Sequence, residues 1–283
     1  MFNKSATLAI LASLAATATA HGTVDVFSAN YQDYRGADNW ASEANKGSAV
    51  RQFPANTGFV SGDDIYNPSL ISCGLEGHAP SPTVVSTPAG QYVNIHWKGS
   101  AGPNGDTWPH PETAIQAYMA PCDNNDCTTF DSANAQFFKI YQAGLYDEPN
   151  ETGWLSSPPA TGNQNRVWAG TKMMLDQGSW STIQIPTNIP SGQYLLQHVL
   201  IAYHEVNAPQ FYPACIQLEI TGGSGQLPAL TPAGSVYDWN SMQVDVYQDN
   251  FQYTSPGPAL YGANAGGTAA RRHHARKEAK KQH

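Results

Sequence analysis

Two residues near the start of the chain, His21 and Gly22, gain chemical interest from the segment that precedes them. Met1 to Ala20 has the build of a secretory signal peptide. Lys4 stands near the start, an apolar run follows from Ala6 to Ala15, and Ala18-Thr19-Ala20 is a small-x-small cleavage site. Cleavage after Ala20 makes His21 the mature N-terminus. A terminal histidine offers a metal two nitrogens, the α-amine and the imidazole, and the amine loses its proton near pH ~8. Amine and ring close one small chelate, and one further imidazole completes an all-nitrogen site suited to copper. Without such a partner, His21 is only the place where a peptidase cut.

The body supplies candidates for that partner in His78, His96, His110, His198 and His204. His110 stands out because Trp108-Pro109-His110-Pro111 fixes the backbone on both sides of the ring: proline restricts both itself and its predecessor. The plainer alternative is an ordinary turn. His96 alternates within a strand-like run and reads as structural, while His78 lies in the loop Gly77-His78-Ala79-Pro80 with nothing nearby to recruit it. Tyr194 to His204 reads as a strand, which puts His198 and His204 on one face if it stays regular. Gln210 and Tyr212 then project the same way, just ahead of Cys215. A phenol and an amide beside an imidazole suit the handling of oxygen better than hydrolysis; a buried strand with satisfied polar groups is the alternative. The hydrolytic signatures G-x-S-x-G and H-E-x-x-H are missing, and no two acids are singled out as a pair.

The elements that must position these side chains are short strands. Gly 25, Pro 20 and only 13% charged residues favour strands and turns over long helices. Gln91–Trp97, Thr113–Met119, Ala135–Tyr141, Trp180–Ile185, Ile216–Ile220 and Met242–Tyr247 alternate apolar and polar positions, with Gly- and Pro-rich connectors between them. Thr171–Asp176 reads as a single helical turn. The expected fold is all-β, an antiparallel sandwich with long loops over residues 21–261. No stretch after the signal is long and apolar enough to span a bilayer.

Four cysteines in a secreted chain read as two disulfides with three possible pairings. Cys122 and Cys127 are close enough to close a tight loop, which leaves Cys73 with Cys215. Asn150-Glu151-Thr152 is a glycosylation sequon. The chain carries a net charge of −8, yet residues 262–283 end in a basic run with Arg271, Arg272, Arg276, Lys277, Lys280 and Lys281. An acidic body argues against nucleic-acid binding. The tail lacks large apolar residues and reads as a solvated segment, or as a tether to an anionic surface.

Taken together, these pieces resemble the fungal lytic polysaccharide monooxygenases of auxiliary-activity family nine. The resemblance is carried by His21-Gly22, by His110 ahead of Ala117-Tyr118-Met119-Ala120-Pro121-Cys122, and by Leu195-Leu196-Gln197-His198 with His204. Gln210-Phe211-Tyr212-Pro213-Ala214-Cys215 and Tyr253-Thr254-Ser255-Pro256-Gly257-Pro258 extend it across nearly the whole mature body. It implies an immunoglobulin-like sandwich with a flat face around one copper. His21 and His110 would bind the metal, with Tyr212 axial. His204 and Gln210 would position and protonate an oxygen species, and His198 would be structural. It further implies a monomeric secreted enzyme that, with an external electron donor and hydrogen peroxide or dioxygen, oxidises C1 or C4 of glycosidic linkages in cellulose or a related β-glucan or hemicellulose. Tyr237 would be a residue for stacking on sugar rings, or else a core tyrosine. The sequence departs from the family pattern at Glu112-Thr113, at Gln197, at Asp238-Trp239-Asn240 and in a short connector between His204 and Gln210. The competing readings are a secreted copper-binding protein without polysaccharide oxidation and a glycan-binding module without metal.

Overall fold

The computed structural model describes residues 22–36, 47–51, 58–74, 77–99, 107–146, 167–248 and 251–262. His21, the signal segment, Asn150 and nearly all of the basic tail lie outside the described residues.

The strands in chain order are β1 (Thr23–Ala29), β2 (Gln32–Arg35), β3 (Val85–Pro88), β4 (Tyr92–Lys98), β5 (Thr113–Pro121) and β6 (Gln136–Ala143). They continue with β7 (Leu145–Tyr146), β8 (Val167–Trp168), β9 (Trp180–Gln184), β10 (Gly192–Ala202), β11 (Gln210–Thr221) and β12 (Thr231–Pro232). Three short helices join them: α1 (Pro68–Ile71), α2 (Ala169–Leu175) and α3 (Trp239–Met242). One sheet has the order β2-β1-β4-β9 and the other β12-β6-β5-β10-β11-β3, with β7 and β8 forming a separate pair. The pairings are antiparallel except that of β3 with β11. The expected all-β sandwich is what the chain forms.

Alternation decides which side chains meet between the sheets. Val93, Ile95 and Trp97 of β4 point inward and are fully buried, while Tyr92, Asn94 and His96 face out. They pack against Met119, Leu196, Leu200, Ile216 and Leu218 of the larger sheet. The opposite face of that sheet is also covered: Leu195, Val199, Ile201 and Phe211 contact loop residues such as Ile65, Ile71, Val236 and Tyr237. Strand β10 is therefore buried on both faces, which explains its almost unbroken apolar run.

Two covalent bridges fix this loop layer. Cys73–Cys215 joins the segment after α1 to β11 across 142 residues, and Cys122–Cys127 closes the turn after β5. Both match the pairing expected from spacing. A buried guanidinium adds a third fastening. Arg51 donates to Gln217 Oε1 (3.1 Å) and to the carbonyls of His78 (2.7 Å), Cys127 (3.3 Å) and Phe130 (2.8 Å). Burial pushes its pKa down to about 10.

Two expected elements differ. Gln210 to Ile220 is one continuous strand despite Pro213. The backbone groups of Phe211, Cys215 and Gln217 bond outward to Val60, Arg51 and Ala49, and Pro213 falls in that same outward row, so its missing N–H costs no rung to β10. Met242–Tyr247 is not a strand: α3 ends at Met242, and the turn that follows has the Asp245 carboxylate accepting from the Tyr247 N–H at 3.0 Å. Its alternation places Met242 and Val246 in the core from irregular backbone. No helix among the described residues is long and apolar enough to cross a membrane.

Candidate metal centre

His110 lies in the connection leading into β5, with its ring 7% exposed. Its carbonyl accepts from Trp108 Nε1 at 2.9 Å and from Thr113 Oγ1 at 2.8 Å, so the loop is clamped from both sides of the histidine. Trp108 is itself fully buried, and its backbone N–H donates to Ser179 Oγ at 3.0 Å. Helix α2 backs the same loop. Thr171 Oγ1 donates to the Pro111 carbonyl at 3.1 Å, and Gly170 lies so close that an added Cβ would sit 3.1 Å from the His110 carbonyl oxygen.

Strand β11 brings Tyr212 to this ring. The phenol oxygen lies 3.4 Å from His110 Nε2 and donates to Gln210 Oε1 at 2.8 Å. Gln210 and Tyr212 therefore do project the same way, as expected for residues two apart on a strand. Burial raises the Tyr212 pKa well above that of a free phenol, so the hydroxyl stays protonated. Trp108 packs edge-on against the Tyr212 ring, with centroids 4.9 Å apart. Phe59, partly exposed, approaches its other side at 6.1 Å.

His204 completes the cluster from the loop after β10. That strand ends at Ala202, so His204 does not share a regular strand face with His198. The chain turns where Tyr203 N–H donates to the Glu112 carbonyl (2.8 Å), and Tyr247 Oη donates to the His204 carbonyl (3.0 Å). The His204 ring stacks on His110 with centroids 4.0 Å apart and planes 6° from parallel. Burial lowers its pKa, opposed by the Glu205 carboxylate 3.9 Å from Nε2. Its Nδ1 is buried without a hydrogen-bond partner among the described residues.

The N-terminal strand leads to the same spot. Gly22 packs so closely on Trp108 that a Cβ would fall 2.6 Å from Cζ3 of the indole. Only glycine allows that approach. His21 is one peptide bond further and lies outside the described residues.

Other expected participants are elsewhere. His198 is buried between the sheets, its Nδ1 accepting from Trp97 Nε1 at 3.0 Å and its Nε2 lying 3.0 Å from Ser181 Oγ. Its structural role is as expected. Tyr237 is corrected: only 4% exposed, it donates to Gln116 Oε1 at 3.0 Å and packs on Phe211 at 4.8 Å, so it has no face to offer a sugar ring. Gln197 donates to the carbonyls of Ile71 (2.9 Å) and Ser72 (2.5 Å) and so holds the approach to Cys73. The sequence reading missed Trp108 as an organiser of the site; its place two residues before His110 and its indole N–H were the available signals.

Among the described residues no cluster of three or more His, Cys, Asp or Glu side chains could hold a metal. What is present is one imidazole facing a phenol, an amide on that phenol and a stacked second imidazole. These neutral nitrogen and oxygen donors suit copper once two further nitrogens join from the N-terminus.

The β-sandwich thus gathers His110, Tyr212, Gln210 and His204 into one group, beside the Trp108 on which Gly22 packs. Comparison with known proteins makes this specific. The family model "Auxiliary Activity family 9 (formerly GH61)" matches residues 21–255. The AA9 family lytic polysaccharide monooxygenase F of Malbranchea cinnamomea is 32% identical, with 89% of this chain and 96% of that protein covered. A lytic polysaccharide monooxygenase A of Penicillium parvum is also 32% identical, over 92% of this chain and 98% of that protein. The solved structure of Cel61B from Hypocrea jecorina superposes with a TM-score of 0.70 at 30% identity, covering 85% of this chain and all of that one. The chain belongs to Auxiliary Activity family 9.

Proposed function

We propose that the mature protein is a secreted copper-dependent monooxygenase that cleaves cellulose or a related β-glucan or hemicellulose oxidatively. The observation that supports this reading is the His110–Tyr212–Gln210 arrangement with His204 stacked on it, beside the Trp108 on which Gly22 packs. Cleavage after Ala20 would supply the α-amine and ring of His21, His110 would give the third nitrogen, and Tyr212 would offer a neutral phenol oxygen. Bound copper would supply one-electron exchange with an external reductant and activation of hydrogen peroxide or dioxygen for attack at C1 or C4 of a glycosidic linkage.

The surrounding residues have separable tasks. Tyr212 stays protonated and fills one side of His110, and Gln210 fixes the direction of its hydroxyl through the 2.8 Å bond. Neutral His204 can accept a proton at a ring nitrogen and return it to an oxygen beside His110. Trp108 and Thr113 hold the His110 backbone still. Such outer groups alter metal affinity or activity by about 10–100-fold when removed.

The test is product analysis on mature, copper-loaded protein with ascorbate, over cellulose, xyloglucan, xylan and mixed-linkage glucan, beside His110→Ala. Oxidised oligosaccharides that disappear in the variant support the enzyme and show its regiochemistry. Tight copper binding with no oxidised product on any substrate would favour a copper-binding protein of the same fold.

A further inference from the structure

We propose that His96 is a positioning residue that couples the two chain segments bearing the copper ligands, an inference that rests on the copper reading above. Both ring nitrogens of His96 are engaged. Nδ1 lies within hydrogen-bonding distance of the Asp25 carboxylate, and Nε2 lies 3.1 Å from the Gly178 carbonyl oxygen. The ring also packs against Trp180 at 4.9 Å.

Its two partners lead to the two halves of the site. Asp25 sits where the β1–β4 ladder shifts register between Val24 and Val26, a bulge three residues after Gly22. Its carbonyl accepts from Gly36 N–H at 2.7 Å, and its side chain adds a tie to β4 between the flanking pairs Val24–Trp97 and Val26–His96. A bulge re-aims the chain that leaves it, and here that chain is the N-terminal arm. Gly178 belongs to a turn with two consecutive left-handed residues, at φ 57° for Gly178 and 65° for Ser179. Ser179, with its strained backbone, meets the other half directly. Its hydroxyl accepts from Trp108 N–H at 3.0 Å and its carbonyl from Trp97 N–H at 3.0 Å. Trp108 in turn holds the His110 carbonyl and bears on Gly22.

His96 thus closes a loop of contacts from Asp25 through Gly178–Ser179 to Trp108, and from there to His110 on one side and Gly22 on the other. The coupling lets one imidazole on the outward face of β4 set how Gly22 and the His110 loop meet on Trp108. Nothing in the strand alternation of β4 distinguishes His96 from a solvated outward residue; the bulge and the left-handed turn give it this role.

The experiment compares mature wild type, His96→Ala, Asp25→Ala and, as control, Asn94→Ala. Asn94 lies on the same outward face and only accepts from Thr182 Oγ1 at 2.8 Å. Amide exchange at Trp97 and Trp108 is followed in the metal-free protein, and Cu(II) affinity and the electron paramagnetic resonance spectrum in the loaded one. His96→Ala and Asp25→Ala are expected to speed Trp108 exchange and weaken copper binding, each by about tenfold, with a shifted spectrum. Asn94→Ala is expected to leave both at wild-type values. A folded His96→Ala protein with wild-type exchange and wild-type copper affinity overturns the coupling, and Asp25→Ala decides the matter if His96→Ala does not fold. If wild type binds no copper while Trp108 exchange still responds, the copper reading falls and the clasp between the segments stands.

Discussion

His198 and His204 sit six residues apart, yet they occupy opposite physical situations. His198 is fully buried with a partner at each nitrogen, and burial holds its pKa down to about 3, so it is neutral at any working pH. His204 is partly exposed, stacked on His110, and keeps a buried Nδ1 without a partner among the described residues. An unsatisfied buried polar group costs about 1–3 kcal/mol. His198 thus has its hydrogen bonds inside the core, while His204 carries that cost on the ring stacked against His110. The difference follows from where β10 ends. His198 lies within the ladder, whereas His204 lies two residues past its last rung, Ala202 with Gln210.

The sharpest way to break this comparison is to remove one histidine from each side. His110→Ala is expected to abolish oxidative product and high-affinity copper binding, with unfolding free energy within about 1 kcal/mol of wild type. His198→Ala should do the reverse, costing about 3 kcal/mol through the cavity and the orphaned Trp97 Nε1 while leaving any surviving folded protein able to bind copper. Calorimetry beside copper titration of the two variants checks both halves. If His198→Ala loses copper at unchanged stability, the assignment of roles is wrong.

A pH series sharpens the core half. The folded pKa of His198, about 3, lies below the ~6.5 of an unfolded histidine. The unfolded chain therefore binds the extra proton between those values, and stability falls as pH drops through that window. The slope attributable to this ring is about 1.4 kcal/mol per pH unit. His198→Gln, which keeps a hydrogen-bonding side chain without titrating, should flatten that dependence in denaturant unfolding between pH 6 and 4.

The remaining expectations are smaller. Tyr212→Phe removes the hydroxyl facing His110 Nε2 and should lower the oxidation rate by about tenfold while altering the copper spectrum. Equal rates and an unchanged spectrum would exclude Tyr212 from the site. Tyr237→Phe should leave binding to insoluble glucan unchanged and cost about 1 kcal/mol of stability, the worth of its bond to Gln116. A pull-down on cellulose that loses binding in this variant would contradict its burial.

Much of this arrangement was legible in the chain itself. The prolines around His110, the spacing of Gln210 and Tyr212, and the Cys122–Cys127 closure are local features realised by local geometry, and Cys73–Cys215 follows as the remaining pair. The outward set of β4 was also correct, because one of its faces is open. Legibility failed where burial is two-sided or supplied by distant loops. Met242–Tyr247 alternates without being a strand, since irregular backbone places its apolar residues into the layer over the larger sheet. Tyr237 looked available to sugars because nothing near it in sequence shows that Phe211 and Gln116 cover it. The role of Arg51 depends on partners up to 166 residues away, beyond any pattern of neighbours. The backbone N–H of Trp108 likewise bonds a residue 71 positions on, although its indole holds His110 locally.

The last rung of the β10–β11 hairpin carries a consequence for how this surface can change. Gln210 and Tyr212 are held by the ladder and by the disulfide at Cys215, and Tyr203 is held by Glu112. The exposed residues Glu205 to Ala208 between them bear on neither anchor. Lengthening a surface loop costs only about 0.6 kcal/mol per doubling. Insertions at that point can therefore remodel the ground beside His204 while the register of Gln210 and Tyr212 stays as it is. The hairpin end is a natural grafting position for giving the same centre a new polymer to work on.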